Sequence, residues 1–122
     1  MMDSAFVHKE LPDTIHLVES QRNRDLCKTI ASMYIASASV FLQVMRDAVE
    51  RGNLPELFRA ADALRSSSTS LGAFRLANLC RALEQLPSKQ GLANASGQLD
   101  AIERVASIVC ATLMHQERLS IA

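Results

Sequence analysis

Few side chains in this sequence are of a type and spacing that do chemistry. His8, His16 and His115 lie toward the two chain ends. None has a Cys, a second His or a carboxylate at the spacing of an HExxH zinc helix. His16 and Glu19 share a helix face, as do His115 and Arg118, and such pairs are ordinarily solvated neighbours. The run Ser66-Ser67-Ser68 offers hydroxyls, but no histidine base lies near it in sequence. Small residues in mid-helix more commonly permit close helix packing. Cys27, Cys80 and Cys110 are odd in number and widely spaced, without a CxxC pair or a zinc pattern. Each is expected as a small apolar residue on a helix core face. The sequence holds no GxxxxGKS/T, GxGxxG or GxSxG motif. It thus shows no catalytic constellation, and no metal or cofactor is expected. Asp62 and Arg65 lie one helical turn apart, a spacing at which a carboxylate and a guanidinium pair on one helix face.

Such residues need elements to hold them. The 122 residues suit one domain, and 48% hydrophobic with 21% charged residues is globular rather than disordered composition. Thirteen Lys and Arg balance thirteen Asp and Glu, which leaves no cationic excess for nucleic acid. Aromatics at 4%, with no Trp, do not make a base-stacking platform. Four Gly and three Pro are too few for a turn-rich β fold. The longest uncharged stretch, Thr29 to Met45, is interrupted by Ser32, Ser37, Ser39 and Gln43, so no membrane span is expected. Met1 to Lys9 lacks the basic start and apolar run of a signal peptide. With the cysteine usage, this points to a reducing cytoplasm.

The apolar spacing is helical throughout. Residues 1–10 are expected to be frayed. Leu11, Ile15 and Val18 form a short amphipathic turn-and-a-half after Pro12. Asn23 or Asp25 caps a long helix to about Glu50, with an apolar stripe of Leu26, Ile30, Met33, Val40, Phe41, Val44 and Ala48. Ile35, Leu42 and Val49 widen that stripe, and Gly52 stops the helix. Asn53, Pro55 and Glu56 form a capping-box-like start for the next helix. Leu57, Ala61, Leu64, Ser68 and Leu71 are its inner stripe, and Gly72 turns the chain. Phe74 to Leu86 form another helix, with Leu76, Leu79, Cys80 and Leu83 inward and Pro87 at its end. Ser88 to Gly97 has loop composition. A last helix spans about Ser96 to Leu119, with Leu99, Ile102, Val105, Ala106, Val109 and Leu113 inward. The fold class is all-α: an antiparallel up-down four-helix bundle over residues 11–119, with a short extra N-terminal helix.

One stretch carries more than periodicity. Residues 60–84 read Ala-Ala-Asp-Ala-Leu-Arg-Ser-Ser-Ser-Thr-Ser-Leu-Gly-Ala-Phe-Arg-Leu-Ala-Asn-Leu-Cys-Arg-Ala-Leu-Glu. This resembles the histidine phosphotransfer (HPt) domains of two-component phosphorelays. Their motif is Ala-His-x-Leu-Lys-Gly-Ser-x-x-x-Leu-Gly-Ala, followed by a helix with a Leu-Ala, a Cys and a Leu-Glu. Ala61, Leu64, Ser67, Leu71, Gly72, Ala73, Leu76, Ala77, Cys80, Leu83 and Glu84 fall in register, and Arg51-Gly52-Asn53 matches the turn before that helix. The departure is at the phosphoacceptor: the family's His stands at Asp62, its Lys at Arg65 and its Gly at Ser66.

The resemblance implies a module that docks a receiver domain of a response regulator or hybrid histidine kinase. In such a site the histidine offers a ring nitrogen to the receiver's aspartyl phosphate, and the cation one turn on neutralises the phosphoryl group. Arg65 keeps that charge with a planar fork. Ser66 crowds the site slightly, and Asp62 repels an aspartyl phosphate rather than accepting from it. The chain is therefore expected to be no enzyme and no relay. It is either a degenerate HPt that still docks, or an active relay protein with Asp in place of its His. The alternative is a helical protein–protein interaction module outside any phosphorelay. Helix geometry puts Pro55, Arg59, Asp62, Ser66 and Thr69 on the outer face, flanked by Phe58, Ala63 and Arg65. Phe58 beside two arginines suits the acidic rim and apolar helix of a receiver, or else folds over the bundle edge as core. A monomer is expected.

Overall fold

The computed structural model of the chain describes residues 21–86 and 91–121. Among these there are four helices and no strand: α1 (Gln21–Arg51), α2 (Leu54–Leu71), α3 (Phe74–Glu84) and α4 (Gly91–Ile121). Each packs on its chain neighbours, and α1 closes the ring on α4. The expected short helix around Leu11, Ile15 and Val18, and the frayed stretch 1–10, lie outside the described residues.

The core is aliphatic. Leu57, Leu64, Leu76, Leu83, Leu99, Ile102 and Val109 are its largest fully buried side chains, with Met45 from α1. The stripes expected for α2 and α4 are buried as read, with Ala60 and Ala95 added. On α3, Ala77 is buried where Leu79 was expected, and Leu79 is half-buried against the core. Of the cysteines, Cys80 is buried, Cys110 packs partly on the core, and Cys27 is half-exposed outside it.

Further expectations are corrected. The long helix α1 already includes Gln21, so Asn23 and Asp25 lie inside it and do not cap it. Residues 91–97 do not form a loop, because α4 begins at Gly91. Ala95 is fully buried one turn ahead of Leu99, so packing extends the helix through a Gly- and Asn-bearing segment. Another correction concerns the buried face of α1. Leu26, Ile30, Met33 and Val40 are exposed, and the buried side is Ala31, Tyr34, Ala38, Met45 and Ala48. The exposed apolar side chains stand on an adjoining face of α1, and the first of them lie on the part of α1 that extends beyond the shorter α2. Leu26–Arg51 has a mean hydropathy of 1.2 and is long and apolar enough to cross a membrane by length and composition alone. In this bundle one side of α1 is core, and Arg46 on another side donates to Asp100 (2.8 Å) and Glu103 (2.5 Å) of α4.

A polar pair sits inside the core. Tyr34 and Ser68 share a hydrogen bond of 2.9 Å between α1 and α2, and Ser68 is fully buried. Each hydroxyl satisfies the other away from water. Burial pushes the Tyr34 phenol up to about 12, against the lowering effect of Ser68. Tyr34 is the sole tyrosine of the chain, so its ionisation is directly visible. Tyrosinate absorbance is expected to rise with a midpoint near pH 12 in the folded protein and about 10 in denaturant. The sign follows: the neutral phenol's stabilisation is complete below pH about 10 and is lost as pH climbs through about 12. A native midpoint at the ordinary value would contradict the burial of this ring.

The bundle is lopsided. At 1.5 Å per residue the 31-residue α1 and α4 are each about 46 Å long, and the 18-residue α2 about 27 Å. The start of α1 and the end of α4 therefore overhang the shorter pair at one end.

Candidate functional site

α2 is defined at both ends by its sequence. The Asn53 side chain accepts from the Glu56 N–H at 3.1 Å and donates back to the Glu56 carboxylate at 3.0 Å. Arg51 adds a 3.0 Å ion pair to Glu56, and Pro55 lies in the first turn. At the far end Gly72 adopts φ 96°, and its N–H reaches the Ser68 carbonyl at 3.0 Å. That left-handed cap needs glycine. It lets the Ala73 N–H close on the same carbonyl at 2.8 Å, so α3 turns back at once beside α2.

This fixes which side of α2 meets solvent. Leu57, Ala61, Leu64, Ser68 and Leu71 face inward, while Pro55, Arg59, Asp62, Ser66 and Thr69 form the exposed row. Ala63 and Arg65 flank it, half-buried. The Ser67 hydroxyl donates to the Ala63 carbonyl (3.1 Å) and Thr69 to the Arg65 carbonyl (2.8 Å). Of the two places open to Phe58, it takes the one at the bundle edge: it is half-buried and packs on the core.

Arg65 is the centre of the site. Its Nη2 donates to Asp62 Oδ1 one turn back, and its Nε donates to Glu84 Oε2 of α3 at 3.0 Å. The two carboxylates hold the guanidinium firmly protonated, the Asp62 hydrogen bond first and Glu84 next. Asp62 is the outermost member, with 56% of its side chain exposed against 30% for Arg65 and 23% for Glu84. Below them Cys80 is buried, and burial, with Glu84 nearby, pushes its thiol up to about 12, which keeps it protonated and inert.

The apolar row of α1 runs past this site. Tyr34 and Ser68 fix the register of the antiparallel pair α1 and α2. Six residues along each, about 9 Å of rise, bring Val40 level with Asp62. Met33, Val40 and the half-buried Val44 lie about 120–160° around α1 from Arg46, which reaches α4, so the row borders α2 instead. The site is thus a charged row on α2 beside an apolar row on α1. Among the described residues no group of His, Cys, Asp or Glu could hold a metal ion.

The family model of the Hpt domain matches residues 29–116, most of this bundle. The chain belongs to the Hpt domain family. Hpt domains are phosphotransfer carriers of two-component signalling rather than catalysts, and receiver domains are their partners. No curated protein and no solved structure matches the chain. The match spans α2 and α3 whole, and so includes the Asp62–Arg65–Glu84 group of this Hpt domain.

Sequence reasoning reached Asp62 and Arg65 and allowed their pairing. It placed Glu84 only as a motif position, because its partner is nineteen residues away on another helix. Tyr34 and the α1 row were missed; the exposure of apolar side chains at helical spacing has no mark in the sequence.

Proposed function

We propose that this Hpt domain docks a receiver domain and does not relay phosphate. The observation that carries the reading is the exposure of Asp62 in the family's phosphoacceptor segment, with a cation one turn to each side. Aspartate offers no ring nitrogen, and its negative charge opposes an aspartyl phosphate. The exposed cation Arg59 suits an acidic receiver rim, and the α1 row of Met33 and Val40 suits an apolar receiver helix. Such a protein would act as a competitor, adaptor or allosteric partner without an active site of its own, in the cytoplasm where receivers work.

The test is direct binding, by calorimetry, to receiver domains of the same organism. At least one is expected to bind, and Val40→Asp is expected to weaken that complex by about tenfold or more, as removal of a central apolar contact does. Val40 is 59% exposed, so folding should survive the change. If no receiver binds, or if Val40→Asp and Arg59→Ala both bind as the native chain does, the docking reading fails.

A further inference from the structure

We propose that the Asp62–Arg65–Glu84 group makes this protein a partner of the unphosphorylated receiver and turns away the phosphorylated one. This rests on the docking reading above.

The argument begins with how Arg65 is committed. A guanidinium binds phosphate best when its fork is open to two oxygens. Here Nη2 is given to Asp62 and Nε to Glu84, from two different helices. The group holds two carboxylates to one guanidinium, so it carries an excess negative charge where a phosphate carrier would need a positive one. Asp62 is also the most exposed of the three, so an approaching surface meets the carboxylate before the cation.

A receiver presents to this point an aspartate that is either free or phosphorylated. Phosphorylation lengthens that side chain by three oxygens and makes its charge more negative. Both changes fall where Asp62 projects. A phosphoryl group brought to the remaining guanidinium protons of Arg65 would still lie beside Asp62, whose carboxylate would then be desolvated next to a second anion. Like charges placed across an interface suppress the wrong partner more strongly than matched charges reward the right one. Arg59, one turn before Asp62 on the exposed row, still serves the acidic rim common to both receiver forms.

The experiment compares two receiver forms, unmodified and loaded with beryllofluoride as a phosphoryl analogue, against the native chain and Asp62→Asn. Affinities are read by titration at low and at high salt. The native chain is expected to favour the unmodified receiver by about fivefold or more at low salt, and by less at high salt, where exposed charges are screened. Asp62→Asn keeps the shape and removes the charge, leaving Arg65 with Glu84 as its one charged partner in the group, so it is expected to bring the two affinities within about twofold or to reverse their order. Equal affinity of the native chain for both forms overturns the proposal. So does a preference that persists unchanged in Asp62→Asn, since the receiver's own change of shape would then be its source. Failure of the docking reading looks different: neither form binds either protein.

Discussion

Asp62→His is expected to convert this chain from one that takes no phosphoryl group into one that does. The substitution lies on an exposed position of α2 with no buried contact to disturb. It supplies a ring nitrogen in place of a carboxylate. It also releases Arg65 Nη2, while Glu84 continues to hold Nε at 3.0 Å and so keeps the guanidinium beside the new imidazole. Incubated with a charged receiver that binds it, the histidine variant should accumulate acid-labile phosphate and the native chain none. Label on the native chain, or none on the variant despite binding, would remove residue 62 from the role proposed for it. Ser66, where the family has glycine, is the residue to change next if transfer is slow.

The second large effect concerns stability. Leu64 is fully buried between Asp62 and Arg65 in sequence, on the opposite side of α2. Leu64→Ala removes packing and leaves a cavity, and is expected to cost about 2–5 kcal/mol in urea unfolding followed by circular dichroism. Val40→Ala, on the exposed row of α1, is expected to change stability by no more than about 0.5 kcal/mol. A similar loss for both would mean that the α1 row is packed after all and unavailable for docking.

The contrast between those two residues shows where sequence is informative. α2 was legible because its apolar residues occupy one face only and its ends carry Asn53 and Gly72, whose capping needs no tertiary partner. α1 was not, because large apolar side chains stand on one face and the core takes the face of Ala31, Tyr34 and Ala38. Hydrophobicity ranks those faces in the wrong order; which face α2 and α4 cover is a tertiary fact. The start of α4 was hidden for a related reason: its glycines and asparagine read as loop, and only the burial of Ala95 shows the helix. At the site, Asp62 and Arg65 are near in sequence and their pairing followed from helix spacing. Glu84 reaches Arg65 only because Gly72 folds α3 back, which local pattern does not report.

The overhang of α1 and α4 has a mechanical consequence. The two helices are antiparallel, so the first residues of one and the last of the other leave the bundle side by side. Tension applied through both ends would peel this pair apart one turn at a time, like a zipper, instead of shearing all the contacts at once. The opening would travel past Tyr34 and Ser68 before it reached the level of Asp62. A weak pull through the chain ends would thus be spent on the overhang, while the face around Arg65 kept its form.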